Sequence, residues 1–112
     1  FVFVHVEAPD EAGHNGDLRQ KLLAIERFDQ LVVGTILEAF KRKKNFRILV
    51  LPDHATPVSL RTHTTDVICF AIFGKEVVAK GFLNYSEKEA RKSDLYFENG
   101  YELIDYFIKG IK

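Results

Sequence analysis

From Asp17 to about Lys43 the apolar residues Leu18, Leu22, Ile25, Phe28, Val32, Ile36 and Phe40 recur at intervals of three and four. That spacing is one face of a long α-helix. Asp17 stands where an N-cap belongs, and Lys41-Arg42-Lys43-Lys44 lies where cations complement the dipole of a helix end. Gly34 costs about 1 kcal/mol relative to Ala inside a helix, so it marks close packing or a break. The helix is flanked by two short apolar runs, Phe1–Val6 and Phe46–Leu51, which read as buried strands. A strand, a helix and a second strand predict a right-handed crossover between parallel neighbours.

Further along, Ile68–Phe73 reads as a third strand closed by Gly74. Ser86-Glu87-Lys88-Glu89 resembles a capping box and predicts a short helix to about Lys92. A last helix starts at Asn99 or Gly100 and buries Leu103, Ile104, Phe107 and Ile108. This order predicts an α/β chain with helices covering a mainly parallel sheet, residues 1–112 forming a single domain. At 112 residues, 46% of them hydrophobic, the chain can fold and is not of disordered type.

Sixteen basic and sixteen acidic residues cancel, so no global field favours nucleic acid or an anionic membrane. No apolar segment approaches membrane-spanning length, and the first residues lack the charged flank of a signal peptide. The lone Cys69 lies in an apolar run, which predicts a buried thiol and fits a reducing, cytoplasmic setting. The chain has no Met and opens inside an apparent strand, from which we expect a fragment of something longer.

The chemistry-bearing residues are Asp10, His14, Asp53, His54 and His63. Each lies in a loop after a predicted strand, or in the loop between two; Pro9 and Gly13 punctuate the first of these loops. In a parallel sheet such loops gather at the carboxyl edge, where ligands bind. Asp10 and His14 are four residues apart, a weak signal alone. The adjacent pair Asp53-His54 and the later His63 strengthen it. Mixed carboxylate and imidazole ligation suits Mn²⁺, Zn²⁺, Co²⁺ or Fe²⁺ better than Ca²⁺. Two such ions about 4 Å apart would clamp a transferring phosphoryl group.

Four segments carry a more specific likeness: His5-Val6-Glu7-Ala8-Pro9-Asp10-Glu11-Ala12-Gly13-His14, Ala24–Asp29, Leu51-Pro52-Asp53-His54-Ala55-Thr56-Pro57 and Ser59–Thr64. In order and spacing they resemble the C-terminal part of the archaeal-type cofactor-independent phosphoglycerate mutases, within the alkaline phosphatase superfamily. The resemblance covers essentially the whole chain. It implies a three-layer α/β/α fold with a mainly parallel sheet. It implies two divalent ions, Mn, Zn, Co or Mg. One would be held by Asp10, His14 and His63, the other by Asp53 and His54 with an Asp and a nucleophilic Ser from the missing N-terminal portion of the same chain. The implied reaction interconverts 3-phosphoglycerate and 2-phosphoglycerate, a step of glycolysis and gluconeogenesis, through a phosphoserine.

No serine here matches that nucleophile, since Ser59, Ser86 and Ser93 stand in other contexts. The fragment alone is therefore expected to be inactive. The family's Pro-Val-Pro run after the last His is replaced by Asp66-Val67-Ile68-Cys69, which alters the entry to the third strand without removing a ligand. A phosphatase, a phosphopentomutase or a phosphonate-cleaving enzyme of the superfamily is the alternative, and a non-catalytic metal- or partner-binding α/β domain is another.

Nearby residues have plainer readings. His5 packs or orients. Glu7 and Glu11 are acceptors for imidazoles or solvated loop acids. Arg61 contacts a phosphate or forms a salt bridge. The aromatic-rich C-terminus, with Tyr85, Tyr96, Phe97, Tyr101, Tyr106 and Phe107, packs the last helices.

Overall fold

The computed structural model describes residues 1–110, which form two compact units. The first comprises Phe1–Arg42 and His54–Val67; the second comprises Lys43–Asp53 and the chain from Ile68 onward.

In the first unit, helix α1 (Ala8–His14) occupies the stretch expected to be a loop. Pro9 and Gly13 were the reasons to expect one, and neither breaks the helix. Pro9 sits in the first turn, where its missing N–H would find no partner anyway. Gly13 is buried against the backbone of Thr56, so its lack of a side chain serves packing. The helix stops in a Schellman motif. Gly16 takes the left-handed conformation (φ 70°), Asp17 N–H donates to the Ala12 carbonyl and Gly16 N–H to the Gly13 carbonyl, each at 3.0 Å. Asp17 then caps helix α2 (Leu18–Arg27), its carboxylate accepting from Gln20 N–H at 2.9 Å. The shared turn sets the last residue of α1, His14, at a defined corner.

The expected long helix forms. It runs through α2, a π-helical turn (Phe28–Val33) and α3 (Gly34–Phe40), and ends as the basic run begins. Gly34 N–H donates to the Asp29 carbonyl five residues back, so this glycine closes the π turn and does not break the helix. The expected buried stripe is only partly right. Phe28, Val32 and Ile36 are half-buried, whereas Leu18, Leu22, Ile25 and Phe40 are exposed. The expected strand Phe1–Val6 forms neither strand nor helix among the described residues. Phe1, Val2 and Phe3 are 83%, 84% and 75% exposed, so the burial that would favour a strand is not supplied within these residues.

In the second unit, β1 (Arg47–Val50) pairs with β2 (Ala71–Gly74) in an antiparallel register, Arg47 opposite Gly74 and Val50 opposite Ala71. The sheet was expected to be mainly parallel, and this pair departs from that. Parallel neighbours need a crossover element, usually a helix, and residues 51–70 contain none. Ser86 caps α4 (Glu87–Ala90), accepting from Glu89 N–H at 3.3 Å. Helix α5 (Gly100–Lys109) buries Leu103 and half-buries Phe107, while Ile104 and Ile108 are exposed. The Arg47 guanidinium donates to the Ile108 carbonyl at 3.1 Å, satisfying an acceptor in the last turn of α5. Phe97 lies between Phe70 and Tyr106, with ring centroids 5.8 and 5.2 Å away. Cys69 is half-buried, less enclosed than expected, and its carbonyl accepts from the Tyr85 hydroxyl at 2.9 Å. Among the described residues no helix is long and apolar enough to cross a membrane.

Candidate metal centre

Asp10 and His14 occupy positions i and i+4 of α1, so both project from one face. The segment after His54 turns back on itself. Leu60 and Arg61 N–H groups donate to the Pro57 carbonyl, and Ala55 and Thr64 form an isolated antiparallel bridge. That bridge sets the stretches carrying His54 and His63 side by side. Helix and loop together gather four of the five residues singled out from the sequence.

Three of these residues are closest. His14 Nε2 lies 3.0 Å from His63 Nε2 and 3.4 Å from Asp10 Oδ2, and His63 Nε2 lies 3.4 Å from Asp10 Oδ1. With ligand bonds of about 2.1 Å, the edges of a tetrahedral shell measure roughly 3.4 Å. The spacing of Asp10, His14 and His63 therefore fits one divalent ion. Asp10 and His63 also belong to a second, looser triple with His54, whose ligand atoms lie within 4.8 Å of one another. The His54 and His63 ring centroids lie 3.7 Å apart, with the rings tilted by 32°. Asp53, the fifth candidate, is exposed and belongs to the second unit.

The protonation of His14 follows from its partner. Its Nδ1 lies 3.0 Å from the Arg61 carbonyl, which can only accept. Nδ1 is thus the donor, and in the neutral ring this leaves the lone pair on Nε2, the arrangement a ligating imidazole needs. Arg61 reaches that position by adopting a left-handed backbone (φ 54°), uncommon for a residue with a Cβ. Its guanidinium lies beside Gly16, where any side chain would collide with it. Arg61 was expected to meet a phosphate or a carboxylate; here its backbone holds a histidine. We expect Arg61→Gly, which relieves the left-handed strain, to retain the His14 contact, and Arg61→Val to destabilise the chain by roughly 1–2 kcal/mol relative to it. Urea unfolding of the two variants measures the difference.

The carboxyl of Asp10 is held below the ordinary carboxylate range. The hydrogen bond from the Thr56 hydroxyl is the largest cause, partial desolvation opposes it, and the neighbouring His14, His63 and His54 add to the lowering. Thr56, 4% exposed, joins this cluster without having been singled out from the sequence. Its hydroxyl donates to Asp10 Oδ1 at 2.5 Å and lies 3.2 Å from His54 Nδ1. Its carbonyl accepts from Lys21 Nζ. The only available signal was its place two residues after His54.

The remaining candidates stand apart. His5 lies 3.8 Å from Glu7 and stacks on Phe3. The Glu7 backbone carbonyl accepts from the first turn of α1, while Glu11 is exposed. Ser86 and Ser93 accept from the backbone N–H groups of Glu89 and Leu95, so both act in caps and turns.

Comparison with known proteins adds the context. The chain is 44% identical over 109 residues to a protein of Geobacter sulfurreducens described as a probable 2,3-bisphosphoglycerate-independent phosphoglycerate mutase. The alignment covers 96% of this chain and 27% of that protein. It is 43% identical over 110 residues to the 2,3-bisphosphoglycerate-independent phosphoglycerate mutase of Methanothrix thermoacetophila, covering 97% of this chain and 28% of the relative. Over 93 residues it is 50% identical to the mutase of Methanosarcina acetivorans, covering 82% of this chain and 23% of the relative. The chain thus spans about a quarter of the length of the curated relatives it matches. No solved structure matches it at a significant level. Residues 1–96 match the Metalloenzyme superfamily, and with a carboxylate and imidazoles gathered at ligand spacing, the chain belongs to that superfamily.

Proposed function

We propose that the chain is the metal-binding part of a phosphoglycerate mutase that interconverts 3-phosphoglycerate and 2-phosphoglycerate. The observation that carries the reading is the convergence of Asp10, His14 and His63 within 3.0–3.4 Å, in a chain 44% identical to a protein described as such a mutase. Asp10, His14 and His63 would hold one divalent ion. Asp53 and His54, consecutive in the chain, would contribute to a second, whose remaining ligands and nucleophilic serine come from sequence outside these residues. Mn, Zn, Co and Mg are the candidate ions. When bound, such ions act as Lewis acids that neutralise phosphoryl oxygens. The work of this chain's own residues is to hold and orient: Asp10 supplies the charge, and the Arg61 carbonyl and Thr56 hydroxyl aim the imidazoles.

In this reading the chain is one part of a single cytoplasmic metalloenzyme domain with a three-layer α/β/α fold. Phe1–Val6 would enter a mainly parallel sheet, the setting in which near-continuous apolar runs are buried. The exposed Leu18, Leu22 and Ile25 of the long helix support this, because they leave apolar surface to be covered.

Calorimetric titration of the chain with Mn²⁺ or Zn²⁺ should show one tight site, lost in His14→Ala. Two stoichiometric tight sites, one removed by Asp53→Ala, would overturn the division of ligands. With enolase coupling, the chain alone should give no turnover of 3-phosphoglycerate above the metal blank, since positioning groups worth roughly 7–11 kcal/mol of barrier lie elsewhere. A longer protein containing it should turn over, and His14→Ala should abolish the activity. Hydrolysis of phosphomonoesters or phosphonates by that longer protein, without mutase turnover, would favour the superfamily alternatives.

A further inference from the structure

Thr56 is the one buried polar residue among those described. Its surroundings leave it little freedom. Its methyl group faces Gly13, where an added Cβ would lie 3.0 Å from it, and its carbonyl is held by Lys21. A threonine hydroxyl has one proton and two lone pairs. The ionised Asp10 carboxylate can only accept, and at 2.5 Å the O–H···O contact has the length of a charge-assisted bond. The proton therefore goes to Asp10. What faces His54 Nδ1 at 3.2 Å is then a lone pair, so Nδ1 must carry a hydrogen to make that bond.

We propose that Thr56 is a positioning residue that fixes the tautomer of His54, holding its proton on Nδ1 and its lone pair on Nε2, and couples that choice to the charge on Asp10. The geometry is a three-member relay, carboxylate to hydroxyl to imidazole, that ties a proposed ligand of one ion to a proposed ligand of the other. An ion that draws charge from Asp10 weakens its grip on the Thr56 proton and so changes the acceptor offered to His54. The relay complements the Arg61 carbonyl, which does the same for His14 without linking it to a second ligand. Its metal-binding consequence rests on the proposed centre; the tautomer itself does not.

The test uses the ¹⁵N-labelled chain, metal-free in EDTA at about pH 8, with two-bond ¹H–¹⁵N correlations of the histidine rings. The wild type should show His54 protonated on Nδ1. Thr56→Ser should keep that pattern, and Thr56→Val, which preserves shape and removes the hydroxyl, should give mixed tautomers. Titration with Zn²⁺ should then show Thr56→Val weakened about 10–100-fold and Thr56→Ser near wild type, the range expected when a group orienting a ligand is lost. A wild-type spectrum with His54 protonated on Nε2 overturns the proposal without recourse to any variant, so misfolding of Thr56→Val would not protect it. So does Thr56→Val with an unchanged tautomer, or with an altered tautomer and wild-type zinc affinity. Failure of the wild type to bind zinc would instead overturn the metal reading, while the spectra would still decide the relay.

Discussion

Asp10→Asn is expected to lower the affinity of the chain for Zn²⁺ or Mn²⁺ by at least about 100-fold. Loss of a group that merely orients a ligand costs about 10–100-fold, and Asp10 is both a proposed ligand and the acceptor that holds Thr56. It is also the anion around which three imidazoles gather: His14 at 3.4 Å, His63 at 3.4 Å and His54 at 4.0 Å. Asparagine keeps the shape and still offers an oxygen to Thr56, so the loss reports charge and ligation and not collapse. Equal affinities in wild type and variant, measured by competition with a chelating dye, would remove Asp10 from the centre.

The same variant has a pH signature in the metal-free chain. The folded carboxyl of Asp10 lies below its ordinary value, chiefly through Thr56. A depressed acid contributes stability that is fully present above its unfolded pKa, about 3.9, and is lost as pH falls through the folded value. The stability difference between wild type and Asp10→Asn should therefore hold down to about pH 4.5 and close below it. Urea midpoints between pH 5 and 2.5 measure the closure. A difference that widens in that window would contradict the sign.

How much of this could be seen beforehand divides along physical lines. That Asp10, His14 and His63 would gather was legible because ligand chemistry restricts residue type and these residues stand in segments that follow apolar runs; that spacing by four puts Asp10 and His14 on one helical face came only with the structure. The long helix was legible because seven apolar residues kept a helical period. Which of its faces is covered was not, because Leu31 and Leu37 are apolar and exposed too, and burial depends on partners. Helix α1 was hidden by Pro9 and Gly13, two residues with opposite local and tertiary meanings. A proline breaks a helix except in its first turn, and a glycine weakens one unless another backbone needs the space. The antiparallel pairing of β1 and β2 followed from the lack of a crossover helix between them, a feature visible in the sequence but outweighed by the strand-helix-strand pattern upstream. Thr56 was missed for a different reason. Hydroxyls are common, and only three-dimensional contact distinguishes one that bridges two ligands from one in water.

The buried glycine is the most exacting point of this arrangement, and Gly13→Ala should damage both stability and metal binding. On helix propensity alone the change would stabilise α1 by about 1 kcal/mol. Backbone conformation does not forbid it, since Gly13 lies within the helix and is not among the glycines of positive φ. Space does. A Cβ there would sit 2.6 Å from the Thr56 carbonyl oxygen, 3.0 Å from its methyl and 3.1 Å from Lys21 Nζ. Lysine can swing away, but the carbonyl belongs to backbone, and moving it displaces the Thr56 hydroxyl from Asp10 and His54. Overpacking of this kind costs about 1–3 kcal/mol, which exceeds the propensity gain over most of its range. The expected result is a net loss of up to about 2 kcal/mol in urea unfolding, with zinc affinity reduced at least about 10-fold through the displaced relay. Gly100→Ala is the control, because a Cβ at the start of α5 meets nothing within 4 Å. It should be neutral or mildly stabilising and leave zinc binding unchanged. If Gly13→Ala matched Gly100→Ala in both measurements, the close packing of α1 on Thr56 would not be what holds the centre in place.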